Sequence, residues 1–65
     1  MSLSERLAAL EALCDPRTDG DLRVIRLQLT RAEGKLVEGR GDVRRELRIV
    51  AQRIARAERR VAKDA

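Results

Sequence analysis

A chain of 65 residues can form one domain at most, and a chain of this size buries only about 60% of the surface that its unfolded form exposes. The absence of Phe, Trp, Tyr and His, with only one cysteine, excludes an aromatic core, an internal disulfide and the commonest zinc sites. Small domains usually gain stability from disulfides, a metal or a second subunit, so oligomerisation is the remaining route for this chain.

The N-terminal residues show no pattern of an export signal or a membrane span. The longest apolar run there covers residues 7–10, whereas a helix that spans a bilayer needs roughly 20 apolar residues. The sequence therefore predicts a cytoplasmic protein without a membrane partner.

The first predicted helix covers about residues 3–14. Ser2 can cap this helix, and Glu5, three residues later, can reach back to the cap. The apolar residues of its predicted stripe are Leu3, Leu7, Leu10 and Cys14. Their spacings of four, three and four residues indicate one face of a helix, and the turn formers of residues 15–20 end it.

The second predicted helix covers about residues 19–38, with Thr18 or Asp19 as its N-cap. Its predicted seam residues are Leu22, Ile25, Leu29, Ala32 and Leu36. They alternate spacings of three and four residues, which indicates a helix rather than a strand. Val24 and Leu27 lie almost opposite this seam. We therefore expect a second apolar face, which either the first helix or another molecule must cover.

The third predicted helix covers about residues 43–63, with Asp42 as its N-cap. Its predicted seam residues are Val43, Leu47, Val50, Ile54, Ala57 and Val61. Alternating spacings of four and three residues predict a long helix packed along a coiled-coil-like seam. Because residues 39–42 are short enough for a tight turn, the sequence predicts an all-α fold over residues 1–65. The expected architecture is an antiparallel helical hairpin with a short N-terminal helix, completed by oligomerisation.

Side chains that could carry catalysis are scarce in this chain. There is no histidine to act as a general base, and Cys14 has no sequence neighbour that would activate it. Gly39 and Gly41 belong to the predicted turn and do not form a phosphate-binding loop. We therefore expect no enzyme activity, no cofactor, no metal and no small-molecule substrate.

Positive charge is concentrated in the third predicted helix. Residues 1–41 hold seven basic and seven acidic side chains, whereas residues 42–65 hold eight basic and four acidic ones. The basic residues that share the face opposite the seam are Arg45, Arg48, Arg56, Arg59 and Lys63. A solvated surface, with Glu46 and Glu58 among the arginines, explains this face, because no aromatic residue is present for base stacking. The alternative is contact with nucleic acid or with an acidic partner.

The short first helix, the two long helices and the bend Gly39-Arg40-Gly41-Asp42 resemble the small co-chaperones of type III secretion systems. The resemblance covers Leu22 to Val61 in layout. It implies a bacterial helical hairpin that pairs with a larger chaperone and shields the needle subunit. The chain differs from those proteins in its aromatic-free seam and its arginine-rich last helix.

These patterns predict a non-enzymatic protein–protein interaction module. It is expected to self-associate as a dimer or to pair with a helical partner, as an adaptor or a secretion co-chaperone does. A nucleic-acid-binding protein that uses the basic face of the third helix is the alternative function.

Overall fold

A computed structural model describes residues 2–15 and 19–64 of the chain. The described residues form three α-helices: α1, Leu3–Leu13; α2, Gly20–Glu38; and α3, Arg44–Asp64. No strand occurs in these two ranges, so the predicted all-α class is confirmed.

Polar side chains define the beginnings of α1 and α2. The Oγ of Ser2 accepts a hydrogen bond from the backbone N–H of Glu5 at 3.2 Å, and the Ser2 hydroxyl donates to Glu5 Oε1 at 3.1 Å. At the start of α2, Asp19 accepts from the N–H of Leu22 at 3.3 Å. Each cap satisfies a backbone donor that has no partner within its helix. Thr18, the other predicted cap of α2, lies outside the described residues.

Two glycines shape the turn between α2 and α3. Gly39 ends α2 with φ 69°, and Gly41 has φ 67°, a left-handed region that residues with a Cβ rarely adopt. The predicted cap, Asp42, lies one residue further from the helix than a usual N-cap, because α3 begins at Arg44. Its carboxylate accepts the N–H of Arg44 at 2.9 Å, so it still satisfies a donor at the start of α3.

Three polar contacts fix how α2 and α3 lie against each other. They join Arg60 to Asp21 (3.3 Å), Arg53 to Gln28 (3.1 Å) and Lys35 to Glu46 (2.8 Å). The contacting residues are seven apart along α2 and seven apart, in reverse order, along α3. The two helices are therefore antiparallel and in a heptad register, and we call them the α2–α3 pair.

All three helices contribute to one core. The buried apolar residues are Leu7, Leu10, Leu22, Ile25, Leu29, Ala32, Val43, Val50, Ile54 and Ala57. Helix α1 supplies the first two of these, and its half-buried Leu3 and Cys14 pack against the same cluster. Because α1 contacts both α2 and α3, it belongs to the fold of this chain.

Helix α1 is too short to cover the whole α2–α3 pair. It has 11 residues, against 19 in α2 and 21 in α3. At 1.5 Å per residue its length is about 16 Å, against about 28 and 31 Å. Its ion pairs are formed with Arg26 of α2 and Glu58 of α3. These two residues lie toward the ends of α2 and α3 that are remote from the turn. In the half of the pair nearest the turn, α2 and α3 consequently pack against each other without a third helix over them.

In the part of the chain that the structure describes, no helix is long and apolar enough to cross a membrane.

Candidate interaction surfaces

The predicted seam residues lie mostly in the core. Those that are buried are Leu22, Ile25, Leu29, Ala32, Val43, Val50, Ile54 and Ala57. Leu47 and Val61 are half-buried and pack against the same cluster. Leu36 departs from the predicted seam, because 61% of its surface is exposed. Its spacing directs it toward the core side of α2, but α1 does not extend far enough to cover it.

Leu36 and its neighbour Val37 form an exposed apolar surface, which we call the turn-end patch. Val37 is 87% exposed. It follows Arg26 by eleven residues, which is about three helical turns, so the two side chains point in nearly the same direction. Since Arg26 contacts α1 through Glu11, Val37 points to the side of α2 along which α1 would continue if it were longer. The patch therefore lies where α1 would cover the α2–α3 pair if α1 were longer.

The surroundings of the turn-end patch carry charges of both signs. Lys35 pairs with Glu46 of α3 at 2.8 Å, and Arg40 pairs with Glu38 at 3.1 Å. Glu33 is also exposed on α2, near the patch. A surface of mixed sign does not repel a second copy of itself, in contrast to a surface of one sign.

The predicted second apolar face remains uncovered by α1. Val24 and Leu27 are each about half exposed. Val24 lies beside Arg53 and Arg56 along a shallow groove between α2 and α3. The face thus persists in the folded chain, although its two residues present only part of their side chains to solvent.

The basic side chains of α3 lie on an open surface, the basic face. Its members are Arg45, Arg48, Arg56, Arg59 and Lys63, all of which are exposed. None of them forms an ion pair with another described residue. The acidic residues expected to lie among them point elsewhere: Glu46 contacts Lys35 of α2, and Glu58 contacts Arg6 of α1. The basic face is consequently not neutralised by Glu46 or Glu58.

Two ion pairs fasten α1 to the α2–α3 pair. Arg6 contacts Glu58 with both oxygens of the carboxylate, and Arg26 contacts Glu11 in the same way. The hydrogen bonds from these arginines hold the pKa values of Glu11 and Glu58 below the ordinary value of 4.5. Such two-point contacts fix orientation as well as charge.

These lowered pKa values predict how stability changes with pH. A carboxylate whose pKa is lower in the folded state stabilises the fold fully at neutral pH, and this contribution is lost as pH falls below 4.5 through the folded pKa. We expect Tm to fall as pH is lowered below about 5, and to fall less when Glu11→Gln and Glu58→Gln are combined. Thermal melting followed by circular dichroism measures this. Glu38→Gln, which affects only a local pair with Arg40, is the control and should keep the full pH dependence.

The described residues contain no cluster of side chains suited to metal binding. No three Cys, Asp or Glu side chains of residues 2–15 and 19–64 are placed to hold a metal ion. Cys14 is a free thiol, half-buried at the end of α1, where its N–H donates to the carbonyl of Leu10 at 2.9 Å. It has a packing role there.

Sequence reasoning did not single out Val37 or the exposure of Leu36. The heptad spacing correctly places Leu36 on the seam side of α2, but it carries no information on how far α1 extends. The exposure of this region is indicated by the length of the predicted first helix, which is about twelve residues against about twenty for its neighbours. A shorter helix must leave part of a longer pair uncovered.

No family model, no curated protein and no solved structure matches this chain.

Proposed function

We propose that this chain is a non-enzymatic helix-pairing module that forms a homodimer through the turn-end patch. The observation that carries the proposal is the exposure of Leu36 and Val37 on the side of the α2–α3 pair that α1 leaves open. In the dimer, the turn-proximal halves of two pairs pack against each other and form a four-helix arrangement with a coiled-coil-like seam. Each copy uses the same patch, as a two-fold interface requires.

The chemistry of the patch favours a second copy of the chain as its occupant. Leu36 and Val37 supply exposed aliphatic surface. The charged residues around them are of both signs, so two copies can approach without net repulsion. The basic face, by contrast, would repel its own copy. A symmetric contact is therefore more favourable at the turn end than across the outer side of α3.

A larger helical partner is the related alternative. The resemblance to the co-chaperones of type III secretion implies the same kind of contact, in which a helical hairpin covers its apolar surface with another protein. It differs from the homodimer in stoichiometry, so a measurement of molar mass on the isolated chain distinguishes the two.

The dimer predicts a concentration-dependent molar mass. We expect light scattering or sedimentation at about 100 µM to give twice the chain mass of 7.3 kDa, with dissociation on dilution. The combined change Leu36→Glu and Val37→Glu should give a folded monomer, because it places like charges opposite each other in a two-fold contact. Leu13→Glu, at a residue of α1 that is 72% exposed and outside the patch, is the control and should remain dimeric.

Two results would contradict the homodimer. One is a monomeric mass for the unmodified chain at about 100 µM. The other is an equal loss of association in the Leu13 variant and in the patch variant, which would place the contact elsewhere or indicate non-specific association.

A further inference from the structure

We propose that the basic face of α3 binds the phosphate backbone of duplex nucleic acid. This surface is separate from the turn-end patch, and the inference does not depend on dimer formation. It requires only that the five cations are free, aligned and spaced to reach several phosphates together.

The five cations are aligned along almost the whole of α3. They lie on the side of the helix opposite Val50 and Ile54, which are buried in the core. From Arg45 to Lys63 the face is eighteen residues long, or about 27 Å. This length corresponds to about eight base pairs at 3.4 Å per step. A straight helix of this length can therefore place several cations along one side of a duplex.

The cations also have no ion-pair partner among the described residues. Six other basic residues of the described chain, namely Arg6, Arg26, Lys35, Arg40, Arg44 and Arg60, form ion pairs with acidic side chains. No ion pair joins a member of the basic face to a described residue. Among the described residues, binding to phosphates would therefore break no salt bridge, and it would release counterions from the nucleic acid.

The composition of the face favours phosphates over the other anionic partners. Four of its five cations are arginines, whose planar guanidinium groups bind phosphate at two points. The buried core of a protein–protein interface is usually more apolar than its rim, and a membrane-bound helix inserts apolar side chains. The centre of this face instead carries the exposed, polar Gln52. The chain has no aromatic side chain on which bases could stack, which favours a duplex over a single strand.

Fluorescence anisotropy with a labelled duplex DNA of about twenty base pairs tests the proposal. We expect a Kd of about 10 µM or tighter at about 50 mM salt, and a slope of log K against log salt that approaches about −4.5 for five phosphate contacts. The combined change Arg56→Gln and Arg59→Gln should reduce the magnitude of that slope by about 1.8 and weaken binding at least tenfold at about 0.1 M salt.

A charge-matched control separates this face from general positive charge. Arg23→Gln combined with Arg31→Gln removes two exposed arginines of α2 that form no ion pair with a described residue. It lowers the net charge by the same amount, and we expect it to change affinity by less than about threefold. Circular dichroism should show that both variants keep the helical content of the unmodified chain.

Three outcomes would overturn the proposal. The first is no binding of the duplex at about 50 mM salt. The second is an equal loss of affinity in the α2 and α3 variants. The third is that polyglutamate displaces the labelled duplex as well as unlabelled duplex does, when both competitors are present at the same concentration of charge. This result would identify the surface as a site for acidic polypeptides.

Discussion

Replacement of Ile54 by aspartate is expected to unfold the protein. Ile54 is fully buried in the one core that all three helices share. An aspartate there would place an unpaired charge among leucines and valines, which costs several kcal/mol. A domain of this size has a total stability of about 5 kcal/mol, so the change removes most or all of it. Far-ultraviolet circular dichroism should show loss of helix, and size exclusion should show an expanded chain.

Ile49→Asp provides the matched control for that experiment. Ile49 lies on the same helix and is 42% exposed, so an aspartate there remains in contact with water. We expect it to keep the helical spectrum and to lower stability far less than Ile54→Asp does. Similar spectra and melting temperatures for the two variants would show that the core assignment of α3 is incorrect.

Replacement of Leu7 by alanine should have the second largest effect on stability. Leu7 is fully buried where α1 meets the other two helices. Removing a buried leucine side chain costs about 2–5 kcal/mol, because the cavity left behind closes only in part. Since Leu22 and Ile54 belong to the same cluster, we expect one cooperative transition at a much lower Tm, without separate detachment of α1. Thermal and urea unfolding measure both quantities.

Leu13→Ala makes the same chemical change at an exposed residue of the same helix. We expect it to change the free energy of unfolding by less than about 0.5 kcal/mol. Two resolved transitions in the Leu7→Ala variant, the first with loss of only the α1 helix, would contradict a single shared core. They would also indicate that the α2–α3 pair is stable by itself.

The all-helical class and most of the core followed from the spacing of aliphatic residues. The periods of Leu22 to Ala32 and of Val43 to Val61 each mark one face of a helix, and burial in the folded chain follows those faces. The exposure of Leu36 does not follow from this spacing. Its period is correct, but its burial depends on how far another helix extends, which is a tertiary property.

The two surfaces could be predicted to different extents. The alignment of Arg45 to Lys63 on one side of α3 follows from helical spacing alone. Whether those cations are neutralised depends on the partners of Glu46 and Glu58, which lie on α2 and α1, 11 and 52 residues away in sequence. Sequence spacing does not reveal such pairs, so the acidic residues were expected among the arginines although they point to α1 and α2.

The heptad register of the α2–α3 pair couples the lengths of its two helices. From the contact between Gln28 and Arg53, the next contact on either side lies seven residues further along one helix and seven residues back along the other. A single inserted residue in α2 would turn every later side chain by about 100° and take it out of contact. Removal of seven residues from each helix, for example 29–35 and 46–52, would delete one contact and leave the others facing their partners. Changes in the length of α2 and α3 that keep this register are therefore paired and come in whole heptads.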